Sequence, residues 1–228
     1  MAVGIHGGWW RAAHGLETHA HLCAALVESG VATWNIEYRR LGEDGGGWPG
    51  TLVDVGKALD FLHTLASMYP FDLSRVVTVG FSAGGHLALW AAARQRVEAM
   101  SPLGAENPFP IKAAISLAGA SDLVRCAELG LSGNVVESFL GGSPTLVPDR
   151  YAMASPTALL PLGTKQILIH GTSDSSVPCE ISQRHYAEAV SRGDKCDLLL
   201  LPGVEHLELI DPLASCWRAV HDTILAAL

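Results

Sequence analysis

A chain of 228 residues, 49% of them hydrophobic, is long enough to bury one core, and its glycines and prolines are spread along it without forming a linker, so one domain over 1–228 is expected. A net charge of -8 with no basic patch excludes nucleic acid as a partner, while the lack of a secretory pattern or of any apolar run near ~20 residues predicts a cytoplasmic protein without membrane contact. Cys23, Cys126, Cys179, Cys196 and Cys216 are odd in number and form no C-x-x-C pair, which points to reduced thiols and away from a disulfide framework or a zinc site.

Met1 to Trp10 reads as an apolar strand cut short by His6-Gly7-Gly8-Trp9-Trp10, a turn rich in free backbone N–H groups. His6 reads as a buried residue that orients this turn. The segment Arg11 to Gly30 reads as a loop and an amphipathic helix carrying His14, His19 and His21. Residues two apart on a helix do not face each other, and no acidic or thiol ligand accompanies these histidines, so no metal site is expected. Val31 to Tyr38 alternates as a strand, Arg39 to Pro49 is a Gly-rich loop, and Gly50 to Ser67 is a helix. Gly45-Gly46-Gly47 lacks the surroundings of a phosphate cradle. Trp48 either anchors its loop or lies near a site mouth, with anchoring preferred.

From Arg75 to Trp90, a β-branched run (Val76, Val77, Val79) breaks into Gly80-Phe81-Ser82-Ala83-Gly84 and leaves as a small-residue amphipathic helix. G-x-S-x-G between a strand and a helix is a nucleophile elbow, in which the serine sits on a strained turn and points outward. Ser82 is therefore the candidate nucleophile. A serine hydroxyl needs a base to take its proton and a third group to orient that base, so an acid and then a histidine are required downstream. Ile111 to Leu117 is the next strand, followed by Asp122, which reads either as a rival acid or as a helix N-cap. Leu123 to Leu162 breaks into short helical pieces, an excursion of the kind that covers a pocket. Lys165 to His170 is a strand ending in Gly171-Thr172-Ser173-Asp174, and Pro178 to Ser191 is a helix. Asp197 to Leu201 is a further strand ending in Pro202-Gly203-Val204-Glu205-His206, and Asp211 to Leu228 closes the chain as a helix. His185 and His221 read as surface or partly buried side chains of these helices. Asp174 and His206 supply the acid and the base. The amides of Gly8 and Trp9, with Gly7 able to replace one of them, and that of Ala83 supply an oxyanion hole.

HGGWW, GFSAGGHLA, GTSDSSVP and PGVEHLELID, in this order, resemble the α/β-hydrolase superfamily, specifically its bacterial esterase/lipase and kynurenine-formamidase-like branch. NIEYRRLGEDGGGWPGTLVDV is similar to the segment that joins the oxyanion strand to the elbow in that branch. The resemblance implies an α/β fold with a mostly parallel central sheet, helices on both faces and a small helical excursion before the acid strand. It also implies Ser82 as nucleophile, Asp174 as orienting acid, His206 as base and the amides of Gly8, Trp9 and Ala83 as oxyanion hole. Members of the superfamily normally carry one or two strands before the HGG strand, so the sheet is expected to be shortened at that edge. A bare edge tends to pair, which predicts either a homodimer or lower stability than relatives have.

The expected activity is hydrolysis of small carboxylic esters without a cofactor, with Trp9 and Trp10 shaping a compact substrate pocket. Three alternatives remain open: hydrolysis of an aryl formamide by the same triad, peptidase activity, which is disfavoured because there is no room for a propeller or large lid to select peptides, and a non-catalytic binding role.

Overall fold

The computed structural model describes residues 1–98 and 100–228. Among these, β1 (Ala2–Ile5), β2 (Thr33–Ile36), β3 (Val77–Phe81), β4 (Ala113–Leu117), β5 (Lys165–Gly171) and β6 (Cys196–Leu201) form one sheet. Its order is β2-β1-β3-β4-β5-β6, and every neighbouring pair is parallel. Parallel strands need crossovers that cover both faces, so the central strands are largely apolar, with Thr78 of β3 and Ser116 of β4 as buried polar exceptions. All residues of β1, β3 and β4 are buried.

Side chains alternate between the two faces along each strand. Ala2, Val77, Val79, Ile115 and Ile169 pack with Leu22 and Leu26 of α1 (Ala20–Glu28) and with Val220 and Ile224 of α9 (Trp217–Ala227). On the opposite face Val3 and Ile5 pack with Leu52 and Val55 of α2 (Gly50–Asp60) and Leu87 of α4 (Ala83–Ala93). Ala114 and Leu168 meet Leu89 of α4 and Ala189 of α8 (Glu180–Ser191) on that face too. The helix expected over Gly50 to Ser67 is two helices, α2 and α3 (Leu62–Met68), broken at Phe61. The closing helix is shorter than expected, because Asp211 to Cys216 is spent on a loop.

The largest departure from the sequence reading concerns α4 and the excursion that follows β4. Every residue of α4 is buried, so this helix has no solvent face and is not amphipathic. Its outer side is covered by the excursion, which contains α5 (Leu123–Glu128), α6 (Leu131–Leu140) and α7 (Pro148–Ala154). Trp90 Nε1 donates to Met153 O at 3.0 Å, and His86 Nε2 lies 2.9 Å from Ala154 O. Segment 123–162 therefore roofs the elbow helix.

Three buried histidines make stability depend on pH. Desolvation pushes His19, His86 and His185 down to about 4. His185, expected on the surface or partly buried, is instead fully enclosed, between Thr157 Oγ1 at 2.8 Å and Gln166 Oε1 at 2.7 Å. Below about pH 6.5 the unfolded chain binds protons that these folded rings refuse, so their contribution is complete above that value and is lost as pH falls toward 4. Thermal unfolding followed by circular dichroism should give a Tm lower at pH 5 than at pH 7 by on the order of 10 °C. An unchanged Tm would show that these rings are free to ionise in the fold.

Candidate active site

Because all strands run the same way, their carboxyl ends share one edge of the sheet, where such folds gather their functional loops. Ile5 of β1 pairs in register with Gly80 of β3, so the HGG turn and the elbow leave the sheet side by side. Ser82 has φ 56° and ψ −118°, a conformation costing about 1–3 kcal/mol for a residue with a side chain. Close contacts enforce it. A Cβ on Gly80 would strike the Gly84 carbonyl, and one on Gly84 would strike the Ile5 carbonyl. The Ser82 amide is tied to Leu117 O at 2.8 Å.

Asp174 follows β5. Its Oδ1 accepts from the amides of Ser176 at 2.9 Å and Val177 at 2.8 Å, while Oδ2 faces His206 Nδ1 at 2.6 Å and His170 Nε2 at 3.2 Å. Burial alone would raise this carboxyl. Hydrogen bonds from His170 and His206, the His206 charge and the Val177 amide outweigh burial and hold the carboxyl well below the usual carboxylate range. The acid and base loops are joined directly, since Ser173 N donates to Val204 O at 3.1 Å. With Nδ1 engaged on Asp174, the His206 ring presents Nε2 as its free nitrogen. The ring packs on Phe81 at 4.6 Å between centroids.

Ser82 and His206 line one cavity of about 240 Å³ together with Gly7, Gly8, Trp9 and His14. No hydrogen bond between the Ser82 hydroxyl and the His206 ring is formed in this geometry, a contact that in hydrolytic sites often tightens only around substrate. Gly8, Trp9 and Trp10 have successive positive φ values of 103°, 54° and 55°, left-handed backbone that turns the chain sharply after β1. Among the described residues, the amides of Gly8, Trp9 and Ala83 donate to no protein acceptor. The Ala83 amide also opens α4, where unpaired N–H groups and the helix dipole favour negative charge.

His6 holds this turn in place. Its Nδ1 lies 2.8 Å from Gly7 O and its Nε2 2.7 Å from Glu37 Oε1, while Tyr38 stacks on the ring at 4.2 Å. Since the peptide is planar and trans, fixing the Gly7 carbonyl turns the Gly8 N–H the opposite way, toward the cavity that Gly8 lines.

Several sequence expectations need correction here. Trp10 is fully buried, stacked on Phe139 at 4.5 Å and edge-on to His86 at 5.2 Å, so it is a core residue and only Trp9 reaches the cavity. The consecutive left-handed residues send the two indoles in different directions. Segment 123–162 contributes no wall to the cavity among the described residues. Asp122 caps α5, accepting from Arg125 N at 3.0 Å, and is not the partner of His206. Trp48 is half-buried against the core with Arg150 over its ring at 5.8 Å, an anchor and not a mouth residue. His14, Thr18, Phe81, Leu207 and Ile210 also line the cavity without having been singled out for it. All five cysteines are free, and burial pushes the thiols of Cys23 and Cys196 up to about 12 and that of Cys126 higher, so these three are not competing nucleophiles.

The sequence pattern of the BD-FAE family matches residues 1–188. The chain belongs to the BD-FAE family. Along its sequence this BD-FAE member carries the elbow serine Ser82, then the Asp174 loop, then the His206 loop. It is 28% identical over 204 residues to a probable isoprenylcysteine alpha-carbonyl methylesterase, ICMEL1, of Oryza sativa subsp. japonica, covering 82% of this chain and 47% of that protein. It is 27% identical over 226 residues to the probable carboxylic ester hydrolase LipM of Mycobacterium tuberculosis, covering 96% of this chain and 51% of that protein. The chain thus spans about half the length of the curated relatives it matches. Among solved structures, a truncated carbohydrate esterase from gut microbiota superposes with a TM-score of 0.80 at 22% identity, over 99% of this chain and 85% of that one. Esterase B from Lactobacillus rhamnosis superposes with a TM-score of 0.83 at 20% identity, over 99% of this chain and 73% of that one. These likenesses and the sheet order establish the α/β-hydrolase fold.

Proposed function

We propose that this BD-FAE member is a serine hydrolase of small carboxylic esters, working through Ser82, His206 and Asp174. The observation that carries this reading is the Asp174–His206 pair at 2.6 Å, which opens on the same cavity as Ser82 on its strained elbow and the unpaired amides of Gly8 and Trp9. Ser82 Oγ attacks the ester carbonyl carbon while His206 Nε2 accepts its proton. Asp174 stabilises the imidazolium, and the amides of Gly8, Trp9 and Ala83 bind the oxyanion. The carbon–oxygen bond to the alcohol then breaks, and His206 returns the proton to the departing oxygen. Water, deprotonated by the same ring, hydrolyses the acyl-enzyme. This route uses no cofactor.

The similarity to ICMEL1, a probable methylesterase, and to LipM, a probable carboxylic ester hydrolase, supports ester over amide chemistry. A cavity of about 240 Å³ supports a compact acyl group. The test is a panel of p-nitrophenyl acetate, butyrate and octanoate assayed beside N-formylkynurenine. The short esters should turn over with kcat/KM at least about a hundredfold above the formamide. Preferential cleavage of the formamide would replace the ester reading, and turnover of neither would leave the fold with a binding role.

A further inference from the structure

The Ser82 cavity adjoins a second hollow of about 580 Å³, bounded by Thr18, His21, Leu207, Ile210, Asp211, Pro212 and Leu213, a mainly apolar wall with Asp211 at its edge. Thr18, Leu207 and Ile210 line both, so the two spaces form one groove. Its floor is a 3-10 turn, Leu207–Ile210, that follows directly on His206. In such a turn residues three apart lie one above the other, so Leu207 and Ile210 share a side while Leu209 is buried in the core and anchors the loop. The loop is further fixed where Asp211 Oδ1 accepts from Leu213 N at 2.8 Å. Thr18 has its hydroxyl committed to Gly15 O at 2.9 Å. Leu207 is 67% and Leu213 93% exposed, an apolar patch left bare beside a reactive centre.

Resting on the ester-hydrolase reading above, we propose that this groove binds the alcohol arm of the substrate, and that the arm is an extended apolar chain. The direction follows from proton traffic. In the tetrahedral intermediate the oxyanion points to Gly8, Trp9 and Ala83, whereas the departing oxygen must lie beside His206, which protonates it. Leu207, which directly follows His206, and Ile210 of the same turn line both spaces, which assigns the groove to the side of the departing group. The acyl group is left with the smaller cavity.

The experiment compares n-alkyl acetates from methyl to octyl with ethyl esters from acetate to octanoate, followed by pH-stat, in the parent and in Leu207→Asp/Leu213→Asp. Both leucines are exposed enough for the variant to fold. A fully buried methylene is worth about fourfold in an equilibrium constant, so a half-buried one in an open groove should raise kcat/KM by about twofold. That rise should appear along the alcohol series and not along the acyl series, and the double variant should flatten it. A flat alcohol series, a rise along the acyl series instead, or an unaltered slope in the variant would overturn the proposal. Titration of Ser82 with a small fluorophosphonate separates the two layers of inference. If Ser82 reacts and methyl acetate turns over while the alcohol series is flat, the groove alone is refuted. If Ser82 does not react, the hydrolase reading falls and takes the groove with it.

Discussion

Replacing Asp174 by asparagine is expected to lower kcat for p-nitrophenyl acetate by about four orders of magnitude with KM little changed. The reason lies in how fully the carboxylate is used. Oδ1 accepts two backbone N–H groups, from Ser176 and Val177, and Oδ2 faces His206 Nδ1 at 2.6 Å. Asparagine has one acceptor oxygen and one NH₂. If the oxygen keeps the two backbone amides, the NH₂ is turned on His206 Nδ1, which must then accept. The proton moves to Nε2, and the ring can no longer take one from Ser82. If the amide is flipped, the loop loses two hydrogen bonds, and one or two buried N–H groups are left unpaired at about 1–3 kcal/mol each. Either way the base is disabled. Asp122→Asn is the control, because Asp122 caps α5 and pairs with Arg184 at 3.5 Å without touching His206, so its replacement should leave kcat within about twofold. Equal losses in the two variants would mean that the acid has been misassigned.

The ionisation of Asp174 also bears on the pH profile. Its carboxyl is held well below the usual carboxylate range, so it stays charged wherever the protein is folded near neutrality. Loss of rate on the acid side should therefore contain no step from protonation of Asp174.

The parts of this site legible in the sequence are those whose chemistry is local. The valines before Gly80, the glycines that allow Ser82 its backbone conformation, and strand-then-loop patterns ahead of Asp174 and His206 all act within a few residues. They single out Ser82, Asp174 and His206 as candidates. What was not legible depends on contacts between distant segments. Trp9 and Trp10 are identical side chains in adjacent positions, and only the stacking of one on Phe139, far along the chain, sends it into the core. The helix after the elbow reads as amphipathic because its small residues are compatible with either a solvent face or close packing. The roof formed by Met153 and Ala154 decides for packing. His14 and Thr18 reach the cavity because the segment carrying them folds across the mouth of the HGG turn, which no periodicity reports. Leu207 and Ile210 were within reach, since a histidine base followed by an apolar turn places that turn beside the substrate.

Everything chemical in this account depends on the Ser82 hydroxyl being the attacking group. Ser82→Ala keeps the same backbone demand, because alanine differs only by the hydroxyl, so the fold and its Tm should be retained while kcat/KM for p-nitrophenyl acetate falls by about six orders of magnitude. The residual activity would come from the Gly8, Trp9 and Ala83 amides alone. The direct measurement is intact-mass analysis after fluorophosphonate treatment, with the modified peptide sequenced and ester hydrolysis followed in parallel. The parent should gain one phosphonyl group, on Ser82, with activity lost in proportion, and Ser82→Ala should gain none. A label on another residue, or a Ser82→Ala protein within tenfold of the parent, would contradict the account.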